Sequence, residues 1–192
     1  NKDSYDITKL GAILLAKNLD EFEEVGRKAV RVIVYKGKNK IDTIREQIGK
    51  RGYAVGFEGL IDWINGQLPA NEEIGRAFRS ETRMYPEIAI RELVANAIIH
   101  QDFKEKGFPM IEIFSDRIEI SNPGIPLITP QRFIDEYVSR NERLADVLRR
   151  FGMCEEKGSG IDKVIFYNEM YQLPAVDFIV SEKRTRITLF SY

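Results

Sequence analysis

The segment from Pro86 to Phe103 constrains the fold more than any other part of the chain. Its apolar residues Ile88, Ala89, Ile90, Leu93, Val94, Ala97 and Ile98 recur at helical spacing around most of the circumference. The spacing predicts a helix over 86–102, opened by Pro86 in a position that suits a first-turn proline. A helix that is apolar over so wide an arc must be buried on several sides, so the chain has to wrap a sheet and other helices around it. The polar residues Glu92, Asn96 and His100 lie four apart and share one narrow stripe. Such a stripe fits either a solvated edge or the wall of a cleft. In a cleft, Glu92 could polarise a water as a general base. Asn96 could offer its amide oxygen to Mg²⁺, a hard ion that prefers oxygen ligands. His100 by itself reads first as a packing or hydrogen-bonding residue.

The other elements supply the partners this helix needs. Ile7, Leu10, Ile13 and Leu14 have helical spacing behind a cap at Asp6 or Thr8. The run AVRVIVY alternates and is β-branched, which predicts a strand, and residues 41–48 can pair with it. Phe57, Leu60, Ile61, Ile64 and Leu68 mark an amphipathic helix that ends near Gly66 and Pro69. Residues 72–84 are polar and read as extended, partly strand. PMIEIF and RIEIS read as two strands joined at Ser115–Arg117, and NPGIP then breaks the sheet. Thr129 and Pro130 start a helix, 142–150 continue helically, a helix spans Ile161 to about Tyr171, and 176–181 with 185–190 form a final hairpin. The order predicts an α+β two-layer sandwich with helices on one sheet face. We divide it into an N-terminal α/β connector region, 1–84, and a second domain, 85–192.

Composition narrows the function classes. No apolar run approaches the roughly 20 residues of a membrane span, and the single cysteine, Cys154, fits a reducing cytoplasm. One histidine excludes a His-rich metal site. The formal net charge of −1 lacks the footprint of a DNA-binding domain. Residues 27–51 nevertheless hold nine Lys and Arg against Asp42 and Glu46. That stripe reads first as a solvated face beside an edge strand, and as a phosphate contact only second.

Two further features point toward a ligand. In RIEISNPGIP a strand runs into a sharp turn at Pro123 and Gly124, where backbone can approach a ligand edge and Ser121 or Asn122 can read it by hydrogen bonds. An ordinary Pro-Gly turn would look the same. In EEKGSGIDKV, Gly158 and Gly160 flank Ser159 just before a helix, where free N–H groups and the helix dipole favour an anion such as phosphate. No G-x-x-x-x-G-K-[ST] loop is present, so the chain is not a helicase motor by itself.

The order E-x-x-x-N on a helix, strand with turn, then glycine loop opening a helix resembles the Bergerat fold of GHKL (gyrase, histidine-kinase and mismatch-repair) ATPases. More closely, RELVANAIIHQDF, IEISNPG and RNERLADVLRRFGMCEEKGSGI resemble the C-terminal domain of transcriptional regulators and ATP-dependent DNA helicase RecG-related proteins. In those proteins an AlbA-type Schlafen domain typically precedes, and DITKLGAILLAKN resembles the connector that follows it. The resemblance covers about residues 85–190.

It implies an ATP- and Mg²⁺-binding regulatory module in which Glu92 activates water and Asn96 holds the metal. His100, Ser121, Asn122 and Gly124 would line the nucleotide site, and Gly158, Ser159 and Gly160 would form its second glycine box. Any hydrolysis would be slow. ATP-binding members carry D-x-G-x-G in the first box. Here the run is SNPG, with Ser121 standing where the aspartate would be. The alternative is therefore a degenerate interaction or oligomerisation domain that no longer binds nucleotide. DNA contact would come through the preceding domain, and a homo-oligomer is compatible with either reading.

Overall fold

The computed structural model describes residues 6–68, 70–74, 79–129, 138–154 and 160–191, with strand pairing alone given for 70–74 and 79–83. The expected central helix is α4, Glu87–His100, with Pro86 at its N-cap. Ala89, Ile90, Leu93, Val94, Ala95, Ala97, Ile98 and Ile99 are all at most 3% exposed. The wide apolar arc is thus fully used, and α4 packs on α3, α5, α6 and β6.

Around it run α1 (Lys9–Leu15), α2 (Glu23–Gly26), β1 (Arg31–Tyr35), β2 (Thr43–Ile48), α3 (Tyr53–Asn65), β3 (Ala70–Ile74) and β4 (Arg79–Arg83). After α4 come β5 (Met110–Ile113), β6 (Arg117–Pro123), α5 (Glu142–Arg150), α6 (Gly160–Met170), β7 (Asp177–Val180) and β8 (Arg184–Phe190). Thr8 caps α1, accepting from the Gly11 amide at 3.1 Å. The sequence reading missed the 3₁₀ turn Leu19–Glu21 and α2, which are too short to show a helical period. The helix expected from Pro130 falls on residues 130–137, outside the described residues.

Six strands form one mixed sheet in the order β2-β1-β5-β6-β8-β7, and β3 and β4 form a separate hairpin. Only β1 and β5 run parallel; the other pairings are antiparallel. The sheet therefore crosses the boundary drawn at residue 84, because β1 is hydrogen-bonded to β5. One apolar core includes Val32, Phe57, Ile90, Ile111 and Leu189 from both sides of that boundary.

Alternation sorts the two sheet faces. Ile111, Ile113, Ile118 and Ile120 join the core with α4. The intervening Glu112, Glu119 and Ser121 point the other way, yet are only 3–5% exposed. They are covered by long cationic side chains. Arg117 Nε lies 2.7 Å and Arg186 Nη1 3.2 Å from the Glu119 carboxylate, and Lys40 Nζ lies 2.6 Å from Glu112. Among the described residues, Glu112 and Glu119 on the sheet face away from α4 are held in ion pairs.

The basic 27–51 stretch needs correction at one residue. β2 is exposed at every position, as an edge strand should be. Lys28, however, is only 7% exposed and does not belong to a solvated face.

Candidate functional site

Glu92 and Asn96 lie on the side of α4 that meets the N-terminus of α6. Glu92 is 4% exposed and Asn96 is partly exposed. Gly160, the first residue of α6, sits directly over both. A β-carbon at 160 would come 2.7 Å from Glu92 Oε2 and 3.6 Å from Asn96 Nδ2. With glycine here, α6 starts this close to the carboxylate without displacing it. The arrangement brings a carboxylate, an amide and a helix N-terminus together, and the positive end of the α6 dipole favours negative charge there. Gly158 and Ser159 lie outside the described residues.

The stripe does not continue uniformly to His100, because the end of α4 is engaged differently. Four successive carbonyls there each accept a side-chain amide. Gln101 Nε2 donates to Ile98 O at 3.0 Å. Asn141 Nδ2 donates to Ile99 O and Gln101 O, both at 2.7 Å. Asn122 Nδ2 donates to His100 O at 3.3 Å and also to Pro123 O at 3.1 Å. Three amides from three segments thus satisfy the orphan acceptors that a helix end leaves. His100 is half-buried, and its desolvation, reinforced by the Arg140 guanidinium, pushes its pKa down to about 4.

Ser121 and Asn122 face opposite ways. Asn122 is on the α4 side. Ser121 is on the far face, where Arg184 Nε donates to its hydroxyl at 3.0 Å. Of the two residues considered for reading a ligand edge, the structure places Asn122 by α4 and Ser121 away from it. Gly124 has φ +96° and packs against Asp102 and Arg140. Its amide donates to Lys183 O at 2.7 Å, and Thr185 Oγ1 donates to its carbonyl at 2.9 Å.

Sequence reasoning missed the residues that hold this end together. Arg140 Nη1 is 2.7 Å from Asp102 Oδ2, and its Nη2 donates to Ile125 O at 2.9 Å. Asn141 precedes a helix and so looks like an ordinary N-cap, yet α5 has no side-chain cap bond. Nothing local in the sequence signals that its amide serves another helix.

Among the described residues, no group of three or more His, Cys, Asp or Glu is placed to hold a metal. None of their helices is long and apolar enough to cross a membrane. A cavity of about 670 Å³ lies beside α1, α2 and the start of α5; Glu92, Asn96 and Gly160 do not line it.

The search of curated proteins found no match. Among solved structures, the chain is similar to the DIP2311 protein from Corynebacterium diphtheriae, at 20% identity and a TM-score of 0.78. The alignment covers 95% of this chain and 39% of that one, so this chain spans well under half of its length. At that identity the likeness concerns the fold. Residues 107–189 match the family model described as "Putative ATP-dependent DNA helicase recG C-terminal", and the match is consistent with a RecG-related, ATPase-like domain.

Proposed function

We propose that the chain carries a GHKL-type nucleotide-binding module that takes ATP with Mg²⁺ between α4 and the N-terminus of α6, as the regulatory part of a cytoplasmic transcriptional regulator. One observation carries this reading: Gly160 lies against both Glu92 and Asn96. A phosphate group needs the helix N-terminus, Mg²⁺ needs oxygen donors, and the attacking water needs a carboxylate. The three requirements meet at that contact.

The residues fit the phosphate end. Asn96 would hold the metal through its amide oxygen, and Glu92 would orient a water and accept its proton. Mg²⁺, when bound, supplies charge neutralisation for the phosphates. At the base end, Asn122 spends its N–H groups on His100 O and Pro123 O, leaving its oxygen as the acceptor it has to offer an amino group. Ser121, on the far face, would act only through Arg184. Gly124, Gly158 and Ser159 remain assigned to the same site, DNA contact to a preceding domain, and hydrolysis, if present, to a slow rate.

One observation favours a second reading. The Glu92 carboxylate already stands at the N-terminus of α6, where an anion is favoured. In a degenerate module Glu92 would itself be that helix's structural anion, and the domain would serve oligomerisation or partner binding.

Calorimetric titration with ATP, with and without Mg²⁺, separates the two. The nucleotide reading expects Mg²⁺-dependent binding that Asn96→Ala weakens about tenfold or more with little change in melting temperature. No binding at millimolar ATP, or an Asn96→Ala variant that melts early in proportion to its lost affinity, would leave the degenerate reading.

A further inference from the structure

The 670 Å³ cavity between α1, α2, the turn after α4 and the start of α5 has the size of a small-molecule site. Lys9, Lys28, Lys104, Arg140 and Arg143 line it, together with two acidic residues, Glu24 and Glu142. Glu24 is paired with Lys9, and Arg140 is held by Asp102. Among the described residues lining the cavity, that leaves Lys28, Lys104 and Arg143 against Glu142, with Asp102 and Glu105 attracting Lys28 from outside the lining. Leu10, Ile13, Val25 and Leu144 supply apolar wall.

Lys28 is the informative member. Its side chain is buried, and Nζ donates to Glu105 O at 2.6 Å and Asp102 O at 3.4 Å. Both acceptors are uncharged carbonyls, which solvate an ammonium without neutralising it. Two carbonyls occupy two of the three donors of the ammonium, and a buried charge is costly unless it is well partnered. Burial holds the Lys28 pKa below the ordinary lysine value, against the attraction of Asp102 and Glu105.

A second observation comes from α5. Asn141, at the N-cap of α5, makes no side-chain cap bond there and donates its amide to α4 instead. The first-turn residues Glu142, Arg143 and Leu144 line the cavity. Their uncapped N–H groups add a positive helix end to the buried ammonium.

We propose that this cavity binds a small phosphate-bearing molecule, with the phosphate between Lys28, Arg143 and the start of α5 and an apolar body against Leu10, Ile13 and Val25. The cavity's size and apolar wall suit a small molecule better than a polymer backbone. The site is independent of the nucleotide reading, since Glu92, Asn96, His100, Asn122 and Gly160 do not line it. It is also wired to α4. Arg140 and Asn141 line the cavity and bond, respectively, to Asp102 and to the carbonyls of Ile99 and Gln101. Occupancy would therefore be felt at the end of the helix that carries Glu92 and Asn96.

The test titrates phenyl phosphate and inorganic phosphate calorimetrically into the chain, its Lys104→Ala/Arg143→Ala variant and Asn96→Ala. Both changes in the double variant are at exposed positions, so melting temperature should hold. Phenyl phosphate should bind more tightly than phosphate. The double variant should lose about tenfold in affinity, and Asn96→Ala should bind like the parent. Undiminished binding by the double variant would overturn the site. Loss in Asn96→Ala would move the anion to the α4–α6 contact, and equal affinity for the two probes would remove the apolar body. Displacement of phenyl phosphate by a short oligonucleotide, with a steep salt dependence, would replace the small molecule by nucleic acid.

Discussion

Asn141 donates its side-chain amide to the Gln101 carbonyl at 2.7 Å, so the residue that opens α5 caps the far end of α4. The same amide reaches Ile99 O, also at 2.7 Å. α4 is therefore fixed at its C-terminus by a segment some forty residues downstream.

Asn141→Asp tests that clamp. The substitution keeps the shape and turns two donors into an acceptor facing two carbonyls. We expect a loss of about 2–3 kcal/mol, since buried acceptors are left unmet and a charge faces them. Asn141→Ser, which keeps one donor on a shorter arm, should cost less. Urea unfolding measures both, and an aspartate variant as stable as the parent would show that the clamp contributes nothing.

Gly160 and Glu92 give a prediction in the form of a double-mutant cycle. Gly160→Ala puts a methyl 2.7 Å from Glu92 Oε2, so the buried Glu92 carboxylate or the start of α6 must shift. We expect about 1–3 kcal/mol of destabilisation together with loss of Mg²⁺-nucleotide binding. In an Glu92→Ala background the same methyl has room, so Gly160→Ala should cost little. Additive effects in the double variant would mean that the two residues do not press on one another in solution.

His100 sets a pH window. Its pKa in the folded chain is about 4 against an ordinary 6.5, burial being the main cause and Arg140 the second. Between those values the unfolded chain binds more protons than the folded one, so stability is full above about pH 6.5 and falls as the pH drops toward 4. The whole window is worth on the order of 3 kcal/mol. His100 is the only histidine, so His100→Gln should flatten the stability profile between pH 5 and 6.5. An unchanged slope in the variant would assign the acid loss to carboxylates.

The parts that could be read from sequence are those in which period and burial coincide. α4 announced itself because its apolar residues fill most of a helical circumference, and β5 and β6 because Ile111, Ile113, Ile118 and Ile120 alternate with polar residues. Alternation alone, however, describes Glu112 and Glu119 as solvent-facing. They are buried because Lys40 and Arg186 reach across from other segments and Arg117 leans over from two residues along the same strand, and the reach from other segments leaves no local pattern. The contact of Gly160 with Glu92 was legible in outline, since a glycine before a helix and a polar stripe both suggest a cleft. Asn141, Asp102 and Arg140 were not, because their partners are distant carbonyls and side chains brought close only by the fold.

The basic stretch gives the last prediction. Lys40 Nζ lies 2.6 Å from Glu112, whose side chain is 4% exposed. Glu112 stands directly across the strand pair from Glu119. Tyr35 also donates to Glu112, at 3.1 Å, and burial together with that carboxylate pushes the tyrosine pKa up to about 12. Arg31 is engaged by Glu46 at 3.1 Å and Lys38 by Asp116 at 3.5 Å. These charges have internal work, so the stretch should not grip DNA. Lys40→Ala should cost about 1–2 kcal/mol, discounted because the lysine is half exposed, while Lys36→Ala should cost almost nothing. Fluorescence anisotropy with random duplex at low salt should show no micromolar binding by the parent. Binding that fell steeply with salt, and that vanished when Lys36, Lys38 and Lys40 were neutralised together, would turn this strand edge from a structural ion-pair layer into a phosphate contact.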